Sequence, residues 1–169
     1  MKKWLMKGVA IAAIALAAVL PQFAAAQALT DYAENKIVDA LLRAQSLGAP
    51  ATLYVGLMTS ACSDSAAGTE VSGGSYARVG VTASLANFSG TQSAGSTTAS
   101  SGTGGVSSNN GAINFPTPSA GWGTVTHWGI WDASTSGNLW ICAALTASKT
   151  INSGDSVSFA AAALSVTLQ

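Results

Sequence analysis

Residues 121–132 read "GWGTVTHWGIWD" and set three tryptophans beside the chain's one histidine. Three readings compete: an active site, a sugar-stacking surface, or the wall of a β-sandwich. Successive side chains of a strand face opposite ways. Val125, His127, Gly129 and Trp131 then share one face, and Thr124, Thr126, Trp128, Ile130 and Asp132 the other. Trp128 and Trp131 point apart, so they do not make one platform of coplanar rings. Trp140 follows the turn "STSGN" and joins either set according to register. The pattern predicts a strand buried on both sides, against its own core and against another subunit, with the indoles as packing mass. Aromatic side chains also anchor protein interfaces. Trp122, Trp128, Trp131 and Trp140 are therefore the candidate interface or ligand contacts.

The same alternation extends outward. Leu53, Val55 and Leu57 alternate with Tyr54, Gly56 and Met58. Residues 77–88 are rich in β-branched and small side chains, and Ile113 and Phe115 lead to Pro116. Leu139, Ile141, Ala143 and Leu145 alternate after the turn, Val157 and Phe159 follow "NSGD", and Leu164, Val166 and Leu168 close the chain. Six or seven short strands with turns between them, as these runs suggest, predict an antiparallel β-sandwich or jelly-roll-like domain over residues 49–169. Residues 89–111, "SGTQSAGSTTASSGTGGVSSNNG", are almost all Ser, Gly, Thr and Ala. They bury too little apolar surface to offset ordering entropy, which predicts a flexible surface loop.

One helix precedes the strands. In residues 30–47, Ala33, Ile37, Leu41, Ala44 and Leu47 recur at steps of three and four and make one apolar face. Thr30 or Asp31 can cap its start, Asp31 with Glu34 has capping-box spacing, and Gly48 and Pro50 stop it. The amphipathic unit spans residues 29–48. Its apolar face needs a partner, either the sheet or a neighbouring subunit.

Residues 1–28 carry a different message. Lys2, Lys3 and Lys7 precede the apolar run "VAIAAIALAAVL", Pro21 and two A-x-A sites, ending at Ala26 and Ala28. This is the layout of a secretory signal peptide. A run of this length covers about 18 Å as a helix, short of the roughly 30 Å hydrocarbon core, so a membrane role would come only through this segment if it stays uncleaved. Its removal leaves Lys36, Arg43, Arg78 and Lys149 against seven acids, a net charge of about −3. No basic stripe remains to grip phosphates, which argues against nucleic acid as a partner. In an oxidising compartment Cys62 and Cys142 can pair; the alternative is two buried thiols.

Catalysis needs groups brought together with matched pKa values. Asp31, Glu34 and Asp39 decorate the helix, and Asp64, Glu70, Asp132 and Asp155 lie beside Ser and Gly in turns. No G-x-S-x-G elbow occurs, and no lysine-bearing phosphate loop. His127 sits mid-strand without a partner for base chemistry. One histidine and two distant cysteines lack metal-ligand spacing. No catalytic residue, cofactor or metal is expected, and a small hydrolase centred on His127 is the weakest reading.

"LTDYAENKIVDALL", "LYVGLMT", "GTEVSGGSYARV", "GAINFPTPSAGWGTVTHWGIWDA" and "SGDSVSFAAAALSVTL", in this order, resemble a family of small bacteriophage virion proteins described as tail-fibre proteins. The resemblance runs from Leu29 to Gln169. It implies a helix followed by a β-sandwich, a non-enzymatic structural or adhesive role, and oligomeric assembly on a particle. It supplies no catalytic residues. The signal peptide looks like an addition to the family pattern, and the Ser/Gly run looks longer than the pattern needs. That combination suggests either a domesticated copy displayed on a bacterial surface or a phage protein that enters the membrane before assembly. The leading expectation is an exported subunit, on the cell or virion surface, that self-assembles with copies of itself. The alternative is a secreted adhesin module that binds a host-surface receptor or glycan through Trp122, Trp140 and the Ser/Gly loop.

Overall fold

A computed structural model describes residues 28–168. The signal peptide expected at the N-terminus falls almost wholly outside the described residues. Within them the elements are β1 (Ala28–Leu29), α1 (Asp31–Leu42), β2 (Thr52–Met58), β3 (Val79–Thr82), β4 (Val106–Ser108), β5 (Ile113–Asn114), β6 (Gly123–Trp131), β7 (Leu139–Ile151), β8 (Ser158–Phe159) and β9 (Ser165–Thr167). The strands with clear alternation in the sequence, β2, β6 and β7, form the centre. β1, β5 and β8 are two residues each, too short to show a period.

Five strands make one antiparallel sheet in the order β1-β7-β6-β2-β3. Two short antiparallel pairs, β4 with β9 and β5 with β8, supply the opposing layer. Ile113, Phe115 and Leu164 from that layer are buried in one core with Val55, Leu57, Trp128 and Ile130 of the sheet. Phe159 bridges the layers, edge-on to Trp128 at 6.5 Å and to Phe115 at 6.2 Å. The opposite face of the sheet carries a smaller core of Met58, Trp131, Leu139 and Cys142. The fold is thus mainly β, a helix followed by a β-sandwich.

Trp128 and Trp131 do lie in different cores. Val125 departs from strict alternation: it belongs with Trp128 and Ile130, not with Trp131. The register between β6 and β7 shifts between Val125 and His127, where Val125 faces Lys149 but His127 faces Ala144. The extra residues on β7 turn the start of β6 by one position.

The helix is shorter than its apolar spacing predicts. It ends at Leu42, and Ala44 adopts the left-handed conformation with φ 55°. Arg43 and Gln45 both donate their amides to the Asp39 carbonyl, which closes the helix before the last expected turn. At the other end Thr30 is the N-cap, its hydroxyl accepting from the Ala33 amide.

The Ser/Gly run also needs correction at its end. Residues 106–108 are strand β4, and Ser89, Ser108 and Asn109 are buried. The Asn109 amide group donates to the carbonyls of Gly111 and Ala160, and its Oδ1 accepts from the Leu164 amide at 2.9 Å. One polar side chain thereby satisfies three backbone groups inside the second layer, which composition alone does not reveal. Asn109→Ala leaves those groups unpaired and should cost about 2–3 kcal/mol in urea unfolding. A loss under about 0.5 kcal/mol would show that water replaces the side chain.

Candidate functional site

The polar centre of the molecule surrounds Trp131. Trp131 fits because two glycines face each other across β2 and β6: Gly56 pairs with Gly129. A Cβ at Gly56 would lie 2.7 Å from the Trp131 ring, and one at Gly129 would lie 2.7 Å from Leu139 and 2.8 Å from Trp131. The indole lies where both positions lack a side chain. The Arg78 guanidinium stacks on it, 4.1 Å from a ring centroid.

Arg78 is held on every side. Its Nε and Nη2 donate to the two Glu70 carboxylate oxygens at 2.8 and 2.7 Å, a bidentate pair. Its Nη1 donates to the carbonyls of Ala133 and Ser136 in the β6–β7 turn. The Tyr76 hydroxyl donates to Glu70 and accepts from the Leu57 amide at 2.8 Å. Burial, foremost, pushes the Tyr76 phenol well above its ordinary range, against the opposing pull of the Leu57 amide. The constellation resembles an acid–base site by composition, but each group is engaged in tying residues 70–78 to β2 and to the hairpin turn. Its hydrogen bonds are spent on the fold.

The turn itself is fastened by Asp132. Its Oδ1 accepts from the Asn138 amide at 2.7 Å, and its Oδ2 from the Asn138 side chain at 2.8 Å and the Trp140 indole at 3.4 Å. Burial alone would raise this carboxyl; the Asn138 and Trp140 hydrogen bonds outweigh it and hold the carboxyl below its ordinary value. A depressed folded pKa stabilises the protein above the unfolded value of about 3.9 and loses that contribution as pH falls through the folded value. Acid titration of the wild type should therefore loosen the turn only below about pH 4. Asp132→Asn should remove this part of the acid dependence; an unchanged acid profile in that variant would contradict the assignment.

Of the four candidate tryptophans, three are interior. Trp122, Trp128 and Trp131 are 5, 4 and 3% exposed, so a partner outside the single chain does not reach their rings. Trp122 donates its indole N–H to the Gly74 carbonyl and meets Tyr76 edge-on at 5.2 Å. Surface contact is left to Trp140, half-buried and edge-on to Tyr32 at 5.3 Å. The structure does not bring the four rings together. His127 is also half-buried; its Nδ1 lies 2.9 Å from the neighbouring Thr126 hydroxyl, and no acidic side chain is bonded to it. Among the described residues no cluster of three or more His, Cys, Asp or Glu could hold a metal ion.

Cys62 and Cys142 are joined in a disulfide that ties the loop after β2 to β7. Among the described residues no helix is long and apolar enough to cross a membrane. The half of α1 beyond its cap faces water: Val38, Leu41 and Leu42 are 49, 77 and 80% exposed.

Fold and geometry define a structural β-sandwich module whose internal polar groups fasten loops to a sheet. The chain belongs to the family described as podophage GP4 fiber I protein gp80, which matches residues 28–167. The fibre type of phage virion protein is thereby its class. No curated protein matches the chain.

Proposed function

We propose that the chain is an exported, non-catalytic subunit that associates with copies of itself in a fibre or particle displayed on a virion or cell surface. The observation that carries the reading is α1. A helix of 12 residues is marginal alone in water, and this one leaves Val38, Leu41 and Leu42 uncovered. A fibre subunit meets that need through its neighbours. The disulfide and the N-terminal signal-like segment support an oxidising, extracytoplasmic setting.

Electron microscopy of the exported, oxidised protein is the test. Threads or regular particles of repeating domains are expected. Isolated single domains at high concentration would sink the reading. The adhesin alternative keeps only Trp140 and the exposed tip formed by residues 93–104 as contacts. Binding on a glycan array that is lost on Trp140→Ala would favour it.

A further inference from the structure

Two apolar features of the sandwich stand without a partner. One is convex: the α1 face with Val38, Leu41 and Leu42. The other is concave: a cleft of about 350 Å³ between the far half of β7 and residues 156–159. Leu57, Val125 and Ile151 form its buried floor, and Leu145, Val157 and Phe159 its half-buried walls. The cleft opens where β7 leaves register with β6, so the bulge that reorients Val125 also holds the cleft open.

The charges beside the two features are opposite. Lys149 is the one charged residue lining the cleft, and among the described residues it has no ion-pair partner. Glu34 precedes Val38 by four residues and Leu41 by seven, which puts it on their face of the helix. Among the described residues it too has no ion-pair partner; the ion pair on this helix joins Asp39 to Arg43. Within one molecule the start of α1 is held away from the cleft. Thr30 and Tyr32 fix the start of α1 at Trp140, near the beginning of β7. The cleft lies at the other end of that strand, roughly 20–30 Å away at about 3.3 Å per residue.

Resting on the self-association reading, we infer that the apolar face of α1 in one copy docks in the β7 cleft of the next, with Glu34 beside Lys149. The two surfaces differ in shape and in the residues that make them. Such a contact is heterologous: each copy keeps one face free, and the chain of copies extends. The apolar side chains supply the affinity, and the charge pair favours this register over helix-on-helix pairing.

Complementation tests this with three samples of the exported, oxidised protein in sedimentation velocity. Leu41→Asp with Leu42→Asp removes the knob at positions already in water. Ala147→Trp fills the cleft from its exposed rim. Wild type should grow in mass with concentration, each variant alone should stay monomeric, and an equimolar mixture should stop at a one-to-one dimer. Charge reversal provides a milder check: Lys149→Glu should weaken association about tenfold, and adding Glu34→Lys should restore it. If wild type assembles and the Ala147→Trp variant does too, the inference falls while self-association stands. A mixture that yields no dimer also overturns it. A wild type that stays monomeric removes the self-association reading itself.

Discussion

Replacing Cys62 and Cys142 together with serine should lower the unfolding free energy by about 4 kcal/mol. The bond spans 80 residues of sequence, and loop-closure entropy at that length gives about 4.5 kcal/mol at 25 °C. The loop it closes contains β3, β4, β5 and β6, so reduction frees more than half of the described chain in the unfolded state. For a domain of this size the melting temperature should fall by roughly 12–15 °C. Both sulfurs lie against the smaller core of Met58, Trp131 and Leu139, and serine there adds a polar group next to apolar neighbours. Calorimetry of the double variant is the measurement. A drop under about 3 °C would mean that the unfolded chain is already compact, and that the bridge holds little of the fold.

Arg78→Ala should cost about 3–4 kcal/mol in urea unfolding. The Arg78 side chain is 6% exposed and that of Glu70 29%, so removing the guanidinium strands a carboxylate that water only partly reaches. It also leaves the Ala133 and Ser136 carbonyls without their donor and uncovers the Trp131 ring. Arg78→Lys should recover little, because an ammonium neither forks across two carboxylate oxygens nor stacks on an indole. Tryptophan fluorescence should report a loosened β6–β7 turn in both variants. A stability for Arg78→Ala within 1 kcal/mol of wild type would show the network to be an ordinary surface ion pair.

The central strands were legible because their apolar residues alternate. The helix was legible because Ala33, Ile37 and Leu41 repeat at helical steps; its cap was open between Thr30 and Asp31, and the structure puts it at Thr30. The end of the helix was not legible, because Ala44 carries no sequence mark of the left-handed conformation that glycine usually supplies. Val125 was misplaced because a register shift depends on how β7 runs beside β6, not on either strand alone. Asn109 hid in a run of small polar residues whose composition reads as loop. The Trp131 surroundings were out of reach for a similar reason. Gly56 and Gly129 make room for the ring only once β2 and β6 are paired, and Arg78, held by Glu70, meets it across more than fifty residues of chain. Strand alternation pointed to the indoles as packing mass, and burial assigns three of the four candidates to the interior. The apolar face read at Ala33, Ile37 and Leu41 is only partly the exposed one: Ala33 is buried and Ile37 half-buried, while Val38, Leu41 and Leu42 face water.

Hydrogen exchange of the α1 amides at rising protein concentration tests the need of these side chains for a partner most directly. If copies of the chain complete one another, protection across residues 37–42 should climb with concentration and follow the growth in mass. Fast exchange there at every concentration would contradict the account, since the helix would then fray in water with nothing to cover it.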